Sequence, residues 1–490
     1  MYTKNYDTEF KDTWNSAKSY KSIPGPSSWT VIKSFMFNKG NKSVNTSDIF
    51  DEYQRKYKGI FKIPGLFGKK DTVVVHDPKD FEIVYRNEGH YPVRRTLETM
   101  EHCRKDKFAV TSGLFIEQGE KWWSLRQKIN AVMLKPEIVK KYTSAADEVS
   151  YDFLRKIHTL RDSNDDTPAN FFHHINMWAL ESIAYITMNR RLGLLEESPD
   201  KDIVKFVHNL REFFQLFEEL DLQPSMWKIY KTPKFVKFER VMDEIHETVY
   251  KLVNQGVENI KTQSGLQKGH HEKGLLEKFY EIDKNVAVVM AIDSLIAGTD
   301  TASSSLFSVF SNLALNPEQQ NILRNEILGI LPEKDSPLTM EKMANLPYLR
   351  ACIKEAMRMT PIIFGNSRIV SKDIVLKGYQ IPKNTDVLMY HNLVYFDEQF
   401  FPNPRTFMPE RWLRTSEKDN NYNPFAFLPF GSGTRSCIGR RIGELEIEIL
   451  VMRMVRNYHL EWHHPLPKMR FSTINMPQGD IKLRLNDIKF

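Results

Sequence analysis

One cysteine of this chain lies in a setting that suits chemistry. Cys437 follows a loop that holds Gly431 and Gly433, and glycine lets a backbone bend closely around a ligand. The sequence predicts a helix from about Cys437 to Arg456. That helix would direct free backbone N–H groups and the positive end of its dipole at the sulfur. Both effects stabilise a thiolate, and such hydrogen bonds tune the potential of a metal that the sulfur binds.

The neighbours of Cys437 indicate which metal it would bind. A lone thiolate suits haem iron, because the porphyrin supplies the in-plane ligands. Zinc requires several protein ligands close together, and this segment offers only Cys437. The alternative is a buried structural cysteine, which is the commoner situation for a cysteine taken alone.

The composition is that of an ordinary globular protein. The chain has 490 residues, of which 41% are hydrophobic, 27% charged and 12% aromatic. These values exclude a disordered, a collagen-like and a polytopic membrane protein. The net charge is 69 − 62 = +7, which does not indicate a nucleic acid partner but permits acidic partners or anionic lipid. With Cys103, Cys352 and Cys437 as its only cysteines, the chain is not expected to carry a disulfide framework.

The first twenty residues mix acidic and basic side chains. They have neither the apolar core of a secretory signal nor the Arg-rich, acid-poor bias of a transit peptide. No stretch of the chain reaches about 18 consecutive apolar residues. The sequence therefore predicts a soluble or peripheral protein, or one from which a targeting segment has been removed.

Apolar periodicity predicts a mainly helical fold with a small β portion. The predicted strands lie at 60–64, at 72–76 and in short pieces within 373–391. Helical periodicity dominates 119–262, and a polar linking loop is predicted at 261–274. Two further helices are predicted from about Asp283 to Leu315, ended by Asn316-Pro317, and from Leu346 to Met359.

Five residues around Cys437 match a known signature. Phe430, Gly433, Arg435, Cys437 and Gly439 resemble the F-x-x-G-x-R-x-C-x-G haem-binding motif of the cytochrome P-450 family. The resemblance implies haem b as the cofactor, Cys437 as its axial iron ligand, and Phe430, Arg435 and Gly439 at the haem. It implies a fold with a long central helix over the haem and the Cys loop beneath it. We expect an N-terminal segment at 1–23 and a single haem-thiolate monooxygenase domain at 24–490.

A second motif lies on the helix predicted to end at Met359. Glu355 and Arg358 are three positions apart on one helix face and can form an ion pair. Taken alone, this could be an ordinary surface pair that contributes little. The resemblance implies that Arg411 joins the pair and that the three residues stabilise the core around the haem loop.

A third motif, Ala297-Gly298-Thr299-Asp300-Thr301, interrupts the long helix with a glycine that costs about 1 kcal/mol relative to alanine. Small residues would let a ligand approach the backbone. A Thr301 hydroxyl beside the Asp300 carboxylate would form a proton relay, and cleavage of dioxygen consumes two protons. The alternative is a helix kink in which the hydroxyl bonds to the backbone. The resemblance favours the relay, with Thr301 and Asp300 as catalytic residues.

Four residues are expected to hold the haem propionates. Trp122 and Arg126 have the W-x-x-x-R spacing of the family on one helix face, and Arg435 and Arg368 match two further propionate contacts. Arginine suits this task because its forked donors match a carboxylate.

Other features resemble the mitochondrial branch of the family, and insect members most. They are the segment Gly89-His90-Tyr91-Pro92-Val93-Arg94, the pair Arg440-Arg441, and a basic face at Arg350 and Lys354. This branch implies an acidic, adrenodoxin-like ferredoxin with its reductase as electron donor, and a location on the matrix side of the mitochondrial inner membrane. The basic face could instead be an ordinary solvated surface.

Residues 224–240 mix aromatic residues with lysines, which suits a peripheral membrane contact or a helix packed on the body.

The resulting hypothesis is a haem-dependent monooxygenase that inserts one atom of dioxygen into a lipophilic small molecule, either a foreign compound or a steroid-like one. Electrons would come from NADPH through ferredoxin reductase and ferredoxin. The family position of Ala297, Ile362, Ile363 and Ile474 implies substrate contacts. Two alternatives are a haem-thiolate isomerase or dehydratase that needs no external electrons, and a non-catalytic haem carrier.

Overall fold

The computed structural model describes residues 10–36, 45–95, 97–107, 111–223, 225–266, 273–413, 423–471 and 474–488. Helices dominate it, as the sequence predicts. The α-helices are α1 Ser28–Met36, α2 Thr46–Tyr57, α3 Pro78–Arg86, α4 Glu98–Lys107, α5 Gly119–Met133, α6 Pro136–Leu160, α7 Phe171–Met188, α8 Lys201–Phe217, α9 Pro233–Leu266, α10 Leu275–Ile282, α11 Lys284–Leu315, α12 Pro317–Leu328, α13 Met340–Met343, α14 Pro347–Met359, α15 Asn392–Tyr395 and α16 Arg440–Asn457.

The strands are short and form small sheets. They are β1 Ile60–Ile63, β2 Thr72–Val75, β3 Gly365–Ile369, β4 Ile374–Leu376, β5 Tyr379–Ile381, β6 Asp386–Tyr390, β7 Tyr458–Glu461, β8 Lys468–Phe471, β9 Asn475–Gln478 and β10 Arg484–Asp487. One sheet has the order β1-β2-β6-β3, with β1–β2 antiparallel and β2–β6 parallel. The pairs β4–β5, β8–β9 and β7–β10 are antiparallel. The fold is therefore mainly α with a small β region.

The central helix is α11, close to its predicted bounds. The Asp283 side chain caps its first turn by accepting from the backbone N–H of Asn285. Asn316 ends the helix before Pro317, which starts α12. By length and composition α11 could cross a membrane, but 72% of its most apolar window is buried inside the protein. Helices α7, α14 and α16 pack around it, so α11 is the axis of the core.

The N-terminal residues contact the small sheets. The Pro24 carbonyl accepts from the backbone N–H of Lys62 at 2.8 Å. A Cβ on Gly25 would lie 2.0 Å from the Lys62 carbonyl oxygen, so only glycine fits this turn. Earlier in the chain, Lys18 pairs with Tyr379 on β5. The part of the predicted 1–23 segment that the structure describes therefore packs on the fold.

Two predicted boundaries are wrong. Helix α9 continues to Leu266, inside the predicted 261–274 loop, of which residues 267–272 lie outside the described part of the chain. Helix α16 begins at Arg440 and not at Cys437. The reason is local, because the N–H groups of Ser436 and Cys437 bond back to the carbonyls of Gly433 and Phe430. These bonds close a turn that keeps Cys437 in the loop.

Candidate active site

The loop from Phe430 to Gly439 is held in shape by its own backbone. The Cys437 N–H donates to the Phe430 carbonyl at 2.9 Å. Gly431 and Gly433 have φ values of 70° and 74°, in the left-handed region that favours glycine. A Cβ on Gly433 would lie 2.4 Å from Oε1 of Glu88. Gly439 caps α16, so Cys437 lies three positions before the first helical residue.

The Cys437 side chain is accessible although protein atoms surround it. Its side chain is exposed, yet burial among surrounding protein atoms raises the pKa of the thiol. The backbone N–H of Gly439 and the charge of Arg126 oppose the rise in the Cys437 pKa. These two groups stabilise the thiolate, as the sequence predicts for this sulfur, although the helix starts later than expected.

Trp122, Arg126 and Arg435 lie together beside the Cys437 loop. Arg435 lies over the Trp122 ring, with 4.0 Å between the guanidinium carbon and the ring centroid. Arg126 Nη2 donates to the Ser436 carbonyl at 2.8 Å. Burial and neighbouring arginines lower the pKa of Arg435 to about 8, and burial lowers that of Arg126 to about 10. Nε of Arg126 and Nη1 of Arg435 are buried without a hydrogen-bond partner.

Arg368, which the sequence predicts at the haem, lies beside this cluster with two residues that the sequence reasoning missed, Glu88 and Arg94. Arg368 Nε donates to Oε2 of Glu88 at 2.6 Å, which ties β3 to the end of α3. Arg94 contributes a fourth guanidinium, and burial together with Arg368 and Arg126 lowers its pKa to about 10. Arg94 lies in the segment that resembled the mitochondrial branch, so that motif was a signal for it.

The cluster formed by Arg94, Arg126, Arg368 and Arg435 fits the acidic edge of a haem. Two carboxylates face these four guanidinium groups in the described part of the chain: Glu88 pairs with Arg368 and acts on Arg435, and Asp293 acts on Arg94. Buried cations without enough counter-charge are costly. Two propionates would supply that charge, and the unpartnered Arg126 Nε and Arg435 Nη1 could donate to them.

The pair Glu355–Arg358 is buried and includes Arg411. Arg358 donates to both carboxylate oxygens of Glu355 at 2.8 and 3.0 Å, and Arg411 Nε donates to Oε1 at 2.9 Å. Trp412 Nε1 and the Met408 N–H add two further bonds to the same carboxylate. Glu355 and Arg358 are 0% exposed. The alternative of an ordinary surface pair is therefore excluded.

Thr301 and Asp300 do not lie side by side as the relay hypothesis expected. The Thr301 hydroxyl donates to the Ala297 carbonyl at 2.6 Å, which is the backbone bond of the alternative interpretation. Asp300 instead lines a small cavity between α7, α8 and α11 together with Arg211 and Asn176. Adjacent helical residues point about 100° apart, which explains the separation. Burial raises the pKa of Asp300 to about 6, and Arg211 opposes that rise.

Gly298 has a packing role. A Cβ at this position would lie 3.1 Å from Cγ1 of Ile183 on α7, which is tighter than ordinary contact. The glycine in the third motif therefore allows α7 to approach the central helix. This contact provides a reason for the glycine other than the predicted approach of a ligand.

The four predicted substrate residues lie on three elements. Ala297 is half-buried on α11, and Ile474 is buried beside β9. The Ile362 carbonyl accepts from the Asn475 N–H at 2.9 Å, which brings the segment after α14 next to Ile474. Ile363 is 42% exposed.

The predicted basic face is less charged than expected. Arg350 Nε pairs with Glu448 at 3.0 Å, and its Nη2 donates to the Met343 carbonyl. Lys354 is exposed, with its ammonium 5.9 Å from the centroid of the Trp412 ring. Arg440 and Arg441 are also exposed, although Arg440 pairs with Glu444.

The segment 224–240 is predicted to be either a membrane contact or a helix packed on the body, and its described part, 225–240, has features of both. Trp227, Phe235 and Phe238 are buried, as expected of a helix packed on the body. Four apolar side chains remain exposed, as expected of a membrane contact: Met226, Ile229, Tyr230 and Val236. The lysines of this segment pair with acidic residues; Lys228 and Glu98, for example, are 2.7 Å apart.

Comparison with known proteins decides the family. A family model described as cytochrome P450 matches residues 23–485. This chain belongs to the cytochrome P450 family. Probable cytochrome P450 12a5, mitochondrial, of Drosophila melanogaster is 37% identical over 97% of this chain and 92% of its own length. Cytochrome P450 12b1, mitochondrial, of Drosophila acanthoptera is 39% identical over 96% and 91%. Cytochrome P450 CYP12A2 of Musca domestica is 36% identical over 98% and 93%.

The predicted resemblance to insect mitochondrial P450s is thereby confirmed. The chain is a cytochrome P450 monooxygenase, and its cofactor is a haem with a cysteine thiolate as ligand. The accessible Cys437 sulfur and the unpartnered donors of the arginine cluster fit that cofactor.

Proposed function

We propose that this P450 inserts one atom of dioxygen into a lipophilic small molecule and receives electrons from NADPH through ferredoxin reductase and ferredoxin. The observation that carries the proposal is the Cys437 loop, whose accessible cysteine lies beside the arginine cluster. When bound, the haem supplies the activation of dioxygen. The protein supplies the thiolate, the charge that holds the cofactor, the protons and the apolar pocket.

Trp122, Arg126, Arg368 and Arg435 would hold the haem, together with Arg94. Phe430 and Gly439 would lie at its proximal side, next to Cys437. Arg126 would have two roles. Its charge lowers the pKa of Cys437, and its Nε, which has no hydrogen-bond partner, could donate to a propionate. Glu355, Arg358 and Arg411 would stabilise the neighbouring core without touching the reacting atoms.

Thr301 and Asp300 would deliver protons on the distal side. The Thr301 hydroxyl donates to Ala297, so its oxygen keeps lone pairs that can accept from water. Asp300, with a pKa of about 6, exchanges protons readily near neutral pH. Because the two side chains point apart, transfer between them would require bridging water or rotation of a side chain.

The electron donor would be an acidic, adrenodoxin-like ferredoxin that binds the proximal face at Lys354 and Arg350. The exposed Arg440 and Arg441, which follow the Cys437 loop directly, extend that positive surface. Opposite charges steer such encounters and make them sensitive to salt. Two of the similar insect proteins are named mitochondrial, which supports a mitochondrial location. We place the enzyme on the matrix side of the inner membrane, with Ile229, Tyr230 and Val236 in peripheral contact with lipid.

The substrate would be an apolar foreign compound or a steroid-like molecule. Ala297, Ile362, Ile363 and Ile474 would contact it, since these aliphatic side chains offer no charge to a polar ligand. Foreign-compound oxidation is the favoured class because the resemblance is to insect members of the family.

Reconstitution tests this function. The haem-loaded enzyme is mixed with NADPH, an adrenodoxin-like ferredoxin, its reductase and a panel of lipophilic compounds, and oxygenated products are measured. We expect product only when ferredoxin is present, with a rate that falls as salt rises. Lys354→Gln should raise the KM for ferredoxin several-fold, whereas the exposed Lys261→Gln on α9 should leave it unchanged. Turnover without any reductase would instead support an isomerase or dehydratase.

A further inference from the structure

Tyr395, the last residue of α15, is hydrogen-bonded through its backbone and through its side chain to two different parts of the fold. Its carbonyl accepts from Arg358 Nη1 at 2.6 Å, and its hydroxyl oxygen accepts from the backbone N–H of Leu428 at 3.1 Å. Arg358 is the buried partner of Glu355, and Leu428 lies just ahead of the Cys437 loop. One residue therefore connects the buried ion pair to the approach of that loop.

The Leu428 N–H is the last backbone donor before the loop begins at Phe430. Pro429 follows Leu428 and has no N–H to donate. Leu428 is 8% exposed, so its N–H requires a partner inside the protein. In the described part of the chain the Tyr395 hydroxyl is that partner. Removal of the hydroxyl would leave a buried donor unsatisfied.

Further hydrogen bonds lead from Leu428 to the backbone of Cys437. The Gly431 N–H donates to the Leu428 carbonyl at 3.0 Å, which closes the first turn of the loop. The Cys437 N–H donates to the carbonyl of Phe430, inside that same turn, at 2.9 Å. A displacement of Leu428 would therefore move the turn on which the Cys437 backbone rests.

The Tyr395 side chain is held firmly enough to act as an anchor. It is 2% exposed, and its ring centroid lies 5.5 Å from that of Phe427 and 6.0 Å from that of His391. Burial raises the pKa of Tyr395 above its ordinary value, although the N–H of Leu428 opposes that rise. The phenol thus stays neutral at any working pH, and its oxygen accepts from Leu428 throughout.

We propose that Tyr395 is a positioning residue for the thiolate. Through the Leu428 N–H it transmits the rigidity of the Glu355–Arg358 pair to the Cys437 loop and keeps the sulfur where it can bind the haem iron. This inference rests on the proposed role of Cys437 as the axial ligand. It goes beyond the stabilising role of Glu355, because it names the contact through which that core acts on the loop.

Tyr395→Phe tests the inference, because it keeps the ring and removes only the hydroxyl. The haem-loaded enzyme is reduced and saturated with carbon monoxide in mild denaturant, and the red-shifted Soret band is followed over time. We expect this band to convert to the short-wavelength form roughly tenfold faster in Tyr395→Phe than in the wild type. The midpoint reduction potential should rise, since a thiolate held less firmly donates less charge to the iron.

Tyr142→Phe is the matched control. The Tyr142 hydroxyl accepts from the backbone N–H of Leu275 at 2.7 Å, which joins α6 to the start of α10, and Tyr142 is 6% exposed. Each variant thus removes a phenol oxygen that accepts from a buried N–H, and we expect both to lower the melting temperature similarly. Tyr142→Phe should leave the rate of band conversion within about twofold of the wild type and should leave the potential unchanged.

Hydrogen exchange in the haem-loaded wild type covers the case in which Tyr395→Phe does not retain haem. The Leu428 amide should exchange at least about tenfold more slowly than the amide of Phe425, whose partner is the nearby Asn423 Oδ1 in a local turn. Equal exchange of the two amides would overturn the inference.

The spectroscopic results separate this inference from the proposed function. Unchanged band conversion and potential in Tyr395→Phe, or equal changes in Tyr142→Phe, would overturn the positioning role of Tyr395 alone. A wild-type enzyme without the red-shifted band would overturn the role of Cys437 as well.

Discussion

The guanidinium carbon of Arg435 lies over the Trp122 ring, 4.0 Å from the ring centroid, while Nη1 of Arg435 is buried without a hydrogen-bond partner. This contact joins the Cys437 loop to α5 and leaves one buried donor of Arg435 available to a ligand. Lysine would keep the charge but lose the planar, forked geometry. We therefore expect Arg435→Lys to weaken haem retention by roughly tenfold. Haem transfer to apomyoglobin measures the rate, and the exposed Arg441→Lys should leave it unchanged.

Glu355 accepts five hydrogen bonds, two of them from Arg358 and one from Arg411. Glu355→Gln would remove the carboxylate that the buried guanidinium groups of Arg358 and Arg411 share. We expect a loss of about 3–5 kcal/mol in the free energy of unfolding. Glu258→Gln, which breaks the exposed pair with Lys261, should cost under about 1 kcal/mol. Urea unfolding of both variants measures the difference, and equal effects would contradict a core role for Glu355.

Thr301→Ala should uncouple electron use from product formation. The variant should consume NADPH at a near-normal rate while it releases hydrogen peroxide, because one proton-handling hydroxyl is missing. Ser303→Ala is the matched control, since Ser303 makes the same kind of backbone bond to the Thr299 carbonyl, at 2.8 Å. The ratio of product to NADPH consumed decides the outcome. If both variants kept wild-type coupling, Thr301 would not belong to the relay.

Asp300 should lower the stability of the fold at neutral pH. The folded pKa of Asp300, about 6, lies above the ordinary aspartate value of 3.8, so the folded protein binds more protons between these values. The contribution of Asp300 to the free energy of unfolding is greatest below its unfolded pKa and is lost as pH rises through its folded pKa of about 6. Asp300→Asn should therefore raise the free energy of unfolding at pH 7.5 by about 1–3 kcal/mol. The gain should fade in melts at lower pH, while turnover is impaired. A gain that did not depend on pH would contradict the assignment.

The sequence predicts the parts of this molecule that depend on local chemistry. Apolar periodicity and the stop at Asn316-Pro317 are enough to locate α11, and the Cys437 motif identifies the family. Local signals fail where a contact joins distant positions. The bond between Arg368 and Glu88 spans 280 residues, and no spacing rule connects them. The Thr301 hydroxyl and Asp300 carboxylate were expected side by side, but helix geometry directs neighbouring residues apart.

The central claim is that Cys437 is the thiolate ligand of a P450 haem. The most direct measurement is the carbon-monoxide difference spectrum of the reduced, haem-loaded protein, compared with that of Cys437→Ala. The account predicts the red-shifted Soret band typical of a thiolate ligand in the wild type and its loss in the variant. A short-wavelength band in the wild type, or a thiolate-type band that persisted in Cys437→Ala, would contradict it.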